Sequence, residues 1–194
     1  MRRADLPADT VALARFLVGT VLVRDEPEAG RLAARIVETE AYVPGDAASH
    51  AYRGETPRNA AMFLERGHAY VYLIYGTSHC LNVSSERAGT GAAVLIRAAE
   101  PLLGIPVMER RRGTAVRRDL TRGPGRLAHA FGLDRRHDRL DLCSPTSPLW
   151  LAAGSPPAAL GESVRIGLTR EAERVLRFFE RGSPFVSGTK KLNA

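Results

Sequence analysis

Apolar residues at Val11, Leu13, Phe16 and Leu17 recur with mostly helical spacing behind Asp9 or Thr10, either of which can cap, and Gly19 follows. The pattern predicts a first helix that stops at Gly19. From Thr20 the period shortens to two. Thr20 to Arg24 reads as a short strand, Asp25 to Gly30 as a turn, and Arg31 to Tyr42 as a longer strand. Alternation along that strand puts Glu38, Glu40 and Tyr42 on one face and Val37, Thr39 and Ala41 on the other. A polar loop then opens at Pro44-Gly45-Asp46 and holds Ser49-His50-Ala51-Tyr52-Arg53-Gly54 and Thr56-Pro57-Arg58-Asn59. Its length suits a functional loop better than a mere connection.

Tyr70 to Tyr75, Gly76-Thr77, and Ser78 to Ser85 form the pattern of a tight hairpin, with glycine first of two loop residues as in a type II′ turn. Glu86 to Gly91 reads as a second turn and Ala92 to Ala99 as a third strand, so these three strands should form an antiparallel meander. Gly104 to Arg112 and Gly125 to Phe131 read as helices. Pro145, Pro148, Pro156 and Pro157 mark irregular chain, and Arg165 to Leu168 and Val175 to Phe179 read as two short closing strands. There is no internal repeat and no linker. The expected class is α+β, a single domain over 1–194 with 188–194 as a flexible tail. Its core element is a curved, mainly antiparallel sheet with an exposed hairpin, flanked by helices.

Composition changes this picture only in part. The length of 194 residues and the hydrophobic share of 44% suit one domain with a substantial core. No apolar run is long enough to span a membrane, and no signal segment opens the chain. Cys80 and Cys143 lack metal-like or redox-like spacing, so both are expected to be reduced and structural, in a cytoplasmic protein. The formal charge of +7 favours a polyanionic partner. All but two of the 28 basic residues are arginine, the lysines being Lys190 and Lys191, which is more simply codon bias than selection for phosphate. The distribution says more. Nine arginines lie between Pro101 and Arg136 against Glu109, Asp119 and Asp134, making this stretch the candidate phosphate-facing surface. For Arg110 to Arg118 a solvated loop is an equal alternative.

The candidate chemistry lies in the tyrosines. Three of the five fall between Tyr70 and Tyr75, and Tyr42 follows Glu40 by two residues. A carboxylate beside aromatic rings suits a pocket that sandwiches a flat ring, such as a nucleobase, and activates water against it. For Tyr70 ordinary strand packing is the simpler account. For Tyr75, beside a glycine turn, a wedge entering a DNA stack is a genuine rival. On position alone, Glu38 and Glu40 are equal candidates for the working carboxylate. His50, His68, His79, His129 and His137 form no metal-ligand spacing, and Gly123-Pro124-Gly125 is not a phosphate loop, so neither metal nor cofactor is expected.

Several longer phrases occur in order along the chain. They are Arg35 to Tyr42, His50, Thr56-Pro57-Arg58-Asn59, Met62-Phe63, Tyr70 to Gly76, Asn82-Val83-Ser84-Ser85, Leu95 to Pro101, Leu120 to Leu127 and Arg177 to Ser187. Together they resemble the alkyladenine (3-methyladenine) DNA glycosylase family over nearly the whole chain. The resemblance implies a monofunctional enzyme of base excision repair that acts as a monomer on double-stranded DNA containing damaged purines, of the 3-methyladenine, 7-methylguanine and hypoxanthine class. Such an enzyme must flip the nucleotide out of the duplex to reach it. By position the resemblance makes Glu40 the general base that activates water. It puts Tyr42, His50 and Tyr72 around the flipped base, Tyr75 in the gap left in the helix, and Asn82 against the purine edge to help exclude guanine. Arg97 would hold the water and the flipped nucleotide's backbone.

The scarcity of lysine adds to this. Glycosylases that also nick the strand form a Schiff base through an amine, and no lysine precedes residue 190. The product should therefore stop at the abasic site. Thr77-Ser78-His79 departs from the bulkier side chains expected there, which predicts a smaller wedge and less efficient flipping. The chain starts almost at its first helix, as expected of bacterial-type members. Two other classes share the same pocket: a non-catalytic nucleic-acid binder and a hydrolase of free nucleosides.

Overall fold

The computed structural model describes residues 1–193. The first helix forms as its pattern requires: α1, Thr10–Leu17, begins at Asp9, whose carboxylate accepts the Ala12 amide at 2.8 Å. It buries Leu13, Ala14 and Leu17 against the sheet and leaves Phe16 partly exposed. Two further helices follow where glycine and proline punctuate the chain, α2 at Ile105–Arg112 and α3 at Pro124–Ala130. None of the described helices is long and apolar enough to cross a membrane.

Eight antiparallel strands make one curled sheet: β1 Val21–Glu26, β2 Gly30–Tyr42, β3 Ala69–Ile74, β4 Ser78–Ser84, β5 Ala93–Leu103, β6 Leu149–Ala152, β7 Leu160–Val164 and β8 Val175–Glu180. The order is β3-β4-β5-β2-β1-β6, with β8 joined to both β2 and β7. The meander β3-β4-β5 is present, in a single α+β domain as the sequence pattern predicts. The core includes Leu17, Leu22, Ile36, Val71, Leu81, Ile96, Phe131 and Phe178.

The strand β2 organises the molecule. Its first half pairs with β1, while Glu38, Thr39 and Glu40 pair with Phe179, Phe178 and Arg177 of β8. On its other edge the register with β5 shifts three times, skipping Leu102 on β5 near the start of β2 and, further on, Val37 on β2 and Arg97 on β5. Extra residues of this kind bend a strand and re-aim its side chains. The latter two lie where two glutamates and an arginine meet.

Several local expectations need correction. Arg165 to Leu168 is not a strand; β7 precedes it, and the segment leaves the sheet through Gly167 at φ +79°. Positive φ favours glycine and interrupts a strand. Leu149–Ala152 forms β6 within the proline-marked stretch, because Pro148 stands before the ladder rather than inside it. The hairpin turn is centred on Tyr75-Gly76, not Gly76-Thr77. Both carry positive φ, +53° and +70°, the pattern of a type I′ turn, and the Thr77 amide donates to the Ile74 carbonyl at 3.2 Å. The arginine-rich stretch from Arg110 begins in helix α2 and ends in a 3-10 turn at Arg117–Asp119, so it is not merely a loop. Near the C-terminus a further 3-10 turn forms at Lys190–Asn193, and Asn193 donates to the Ser187 carbonyl at 3.0 Å.

A candidate nucleobase pocket beside a basic cleft

Tyr70 and Tyr72 share a face of β3, as period two requires, and stack with ring centroids 5.4 Å apart. His50 meets Tyr72 edge-on at 4.6 Å, and its Nδ1 lies 2.9 Å from the Tyr70 hydroxyl. The loop that presents His50 is pinned at both ends. Asn59 accepts from the Thr56 amide and hydroxyl at 2.6 and 2.9 Å and donates to the His50 carbonyl at 2.8 Å. Asp46 forms an ion pair with Arg165, both side chains fully buried. The Arg165 guanidinium in turn lies over the Tyr42 ring at 4.6 Å. The Thr56-to-Asn59 phrase is thus a brace for His50.

These rings line a cavity of about 380 Å³, closed by Met62, Asn82, Leu95, Arg97 and the loop Ile166-Gly167-Leu168. That is the size range of small-molecule sites. Tyr42, His50, Tyr72, Tyr75, Asn82 and Arg97 come together on its wall. Asn82 donates its amide to the Tyr70 carbonyl at 3.1 Å, which holds its side chain against the wall. Tyr75 stands at the rim, 88% exposed at the tip of the hairpin. A non-glycine residue in the left-handed region costs on the order of 1–2 kcal/mol. Strain of this kind collects at working sites.

Glu40 is not on the wall. It is fully buried beneath it, with Oε2 accepting from the Tyr42 hydroxyl at 3.0 Å and Oε1 from the Ile166 amide at 2.7 Å. Arg97 Nη1 lies 3.1 Å from Oε1. Glu38 is equally buried but better compensated, by Arg97, Arg177 and Ser187. The two carboxylates therefore diverge. For Glu40, burial pushes the pKa above the ordinary carboxylate value, against the pull of Arg97 and the Ile166 amide. For Glu38, burial acts in the same direction but the Arg97 and Arg177 guanidiniums outweigh it, and its pKa falls. Divergent neighbours of this kind separate a base from a permanent charge. Burial also raises the Tyr42 and Tyr72 hydroxyls and pushes Tyr70 up to about 12, so all three stay protonated. His50 is pushed down by burial and by Arg58, and so stays neutral.

The Ile166 loop follows a strand-like pattern in the sequence, and Gly167 is the one local signal against a strand there. Cys80 on the cavity wall and the Asp46–Arg165 pair have no local sequence pattern that would reveal them.

Next to this cavity, sharing Pro124, is a hollow of about 540 Å³ between the hairpin's Thr77-Ser78-His79 and α3. Arg112, Arg122, Arg126, His79 and His129 line it, with Asp134 as its acid. Ser78 fits because Gly125 leaves room; a Cβ there would lie 3.1 Å from the Ser78 Cβ. Of the nine arginines in this region, Arg111 is committed to Glu26 at 2.6 and 2.8 Å. Arg126 keeps only an exposed pair with Asp119 at 3.2 Å.

The family described as Methylpurine-DNA glycosylase matches residues 4–184. A Mesorhizobium japonicum protein, provisionally named a 3-methyladenine DNA glycosylase, is 61% identical over 191 residues, covering 98% of this chain and 91% of the relative. A Paraburkholderia phytofirmans protein with the same provisional name is 54% identical, covering 98% and 89%. The Homo sapiens DNA-3-methyladenine glycosylase is 44% identical over 201 residues, covering 94% of this chain and 65% of the human protein.

Proposed function

Because this chain belongs to the methylpurine-DNA glycosylase family, we propose that it flips damaged purines out of duplex DNA and hydrolyses their N-glycosidic bond with a water activated by Glu40. The observation that carries this is a buried carboxylate of raised basicity directly beneath an aromatic cavity of about 380 Å³. Glu40 takes one proton from the water, the hydroxide bonds to the anomeric carbon, and the purine departs with the electron pair of the broken bond. Positioned general-base catalysis of this kind contributes about 10²–10⁴-fold. An alkylated purine is cationic before cleavage, so it gains about 0.5–2 kcal/mol from each aromatic face it meets, and it leaves neutral; hypoxanthine is neutral when bound, leaves as its anion and takes up a proton from solvent.

Tyr42 is backed by Arg165 and Tyr72 by Tyr70, so the rings that receive the base are held from behind. Asn82, tied to the neighbouring strand, cannot retreat from a purine carrying an extra exocyclic amine, and so disfavours guanine. Tyr75 fills the gap in the stack. Arg97 keeps the water against Glu40; its nitrogens are engaged by Glu38, Glu40 and Ser187, so only its exposed edge is left for the nucleotide's backbone. Thr77-Ser78-His79 border the basic cleft, and the cleft's arginines are the proposed track for the flanking phosphates. Replacing Arg126 with alanine should weaken binding to all sequences alike and lower the slope of log affinity against log salt by about 0.9. An unchanged slope, measured by anisotropy across a salt series, would remove Arg126 from the phosphate track.

The product is an abasic site with both strands intact. Lys190 and Lys191 are the only lysines, and the N-terminal amine donates to Leu151 on β6, at the opposite end of the sheet from β3. Borohydride added during turnover should trap no protein–DNA adduct, and strand breaks should appear only after alkali. A trapped adduct would replace the water mechanism with an amine one.

A further inference from the structure

Glu38 does not reach the cavity, yet it is among the most heavily bonded side chains in the protein. Its Oε1 accepts from Arg177 Nε at 2.6 Å, the Ser187 hydroxyl at 2.9 Å and Arg97 Nε at 3.0 Å, and its Oε2 from the Ser187 amide at 2.6 Å. Arg177 is itself fully buried, donating to Ser163 at 2.7 Å, to the Leu192 carbonyl at 3.0 Å and to Asn193 at 2.7 Å. Arg97 is divided three ways: Nε to Glu38, Nη1 to Glu40 and Nη2 to Ser187 at 3.4 Å. Contacts therefore run without a break from the C-terminal turn through Arg177 and Ser187 to Glu38, on to Arg97, and to Glu40.

Buried charges are costly to assemble, and a hydrophobic filling would often be as stable. Two arginines and a second carboxylate around one catalytic group call for a further reason. We propose that Glu38 is a positioning residue for base release: it fixes Arg97 so that only part of the guanidinium faces Glu40, and it sets a second negative charge beside the catalytic carboxylate. The proposal rests on the assignment of Glu40 as the general base.

The consequence is electrostatic. Glu40 is faced by Arg97 from β5, Tyr42 from its own strand, the Ile166 amide from the loop after β7, Tyr72 from β3 and Cys80 from β4, with Arg177 beyond Glu38 on β8. Ionised Glu38 draws Arg97 away and repels a second charge, so Glu40 holds its proton more tightly and is the stronger base. A base whose pKa lies nearer the working pH transfers protons more effectively.

The test is the pH profile of single-turnover base release, with DNA binding measured alongside. In the wild type the rate is lost as pH falls through the Glu40 pKa, above the ordinary carboxylate value. In Glu38→Gln the guanidinium turns wholly to Glu40, and the acid limb should move down by about one pH unit while the plateau rate falls several-fold. Glu38→Asp keeps the charge and should keep the limb near its wild-type position. A merely structural role would lower the amplitude and leave the limb in place. Since Glu38→Gln strands Arg177, the double variant Glu38→Gln/Arg177→Met removes the buried pair together, and its limb should move in the same direction.

A folded, DNA-binding variant of either kind with a wild-type limb overturns the proposal. If neither folds, carbon-13 titration of the wild-type carboxyls decides: Glu38 must ionise below the ordinary range and Glu40 above it, and the reverse order also overturns the proposal. If Glu40→Gln releases base at the wild-type rate, the assignment of Glu40 is what fails, whatever the Glu38 variants do.

Discussion

Glu40→Gln should lose about 10²–10⁴-fold in single-turnover base release while binding damaged DNA as the wild type does. The amide matches the carboxylate in shape. Its oxygen can still accept the Ile166 amide, and its nitrogen can face the Tyr42 oxygen. What it cannot do is take a proton from water. Stability gives a second readout with a definite sign. Burial raises the Glu40 pKa in the folded state, so keeping this group ionised at neutral pH costs stability, and that cost vanishes with glutamine. Arg97 still has Glu38 as a partner. The variant should therefore unfold at the same urea concentration as the wild type or a higher one. Inactivity combined with lower stability would point to a structural glutamate, and full activity to a different base.

The second large effect concerns stability. Asp46→Ala should cost about 3–5 kcal/mol, because it leaves the Arg165 charge fully buried with no carboxylate. The remaining partners are poor substitutes: the Ala41 carbonyl at 3.0 Å, the Glu171 carbonyl at 3.5 Å and the face of Tyr42. Arg165 Nε already has no hydrogen-bond partner among the described residues. Urea denaturation should show the loss as a lower midpoint with an unchanged slope. The double variant Asp46→Leu/Arg165→Met, which removes both charges, should recover most of it. A loss below about 1 kcal/mol in Asp46→Ala would mean that the pair is hydrated in solution and does not brace Tyr42 or the His50 loop.

Much of the site could be read from local patterns. Period two along Tyr70 and Tyr72 put both rings on one wall, and Glu38 and Glu40 do share a face, since both meet Arg97. Local pattern could not rank the two glutamates. The difference lies in Arg177 and Ser187, which reach Glu38 from 139 and 149 residues away. The burial of Glu40 beneath the wall was equally out of reach, because it depends on the Ile166 loop and on bulges whose register needs the partner strand. Tyr75 has the pattern of a strand end beside the turn and is the turn itself, since positive φ at a tyrosine is an exception that no propensity anticipates. The basic stretch was visible as composition. Its division into a structural Arg111 and cleft-facing Arg112, Arg122 and Arg126 appeared only with the fold.

The most direct measurement is single-turnover release of free base by the wild-type protein from a duplex carrying one hypoxanthine, with methylated DNA and undamaged DNA in parallel. Release of hypoxanthine and of methylpurines, with undamaged duplex left intact, is the predicted result. Tight binding to all three with no base released would contradict hydrolysis and leave a protein that uses the same pocket only to bind.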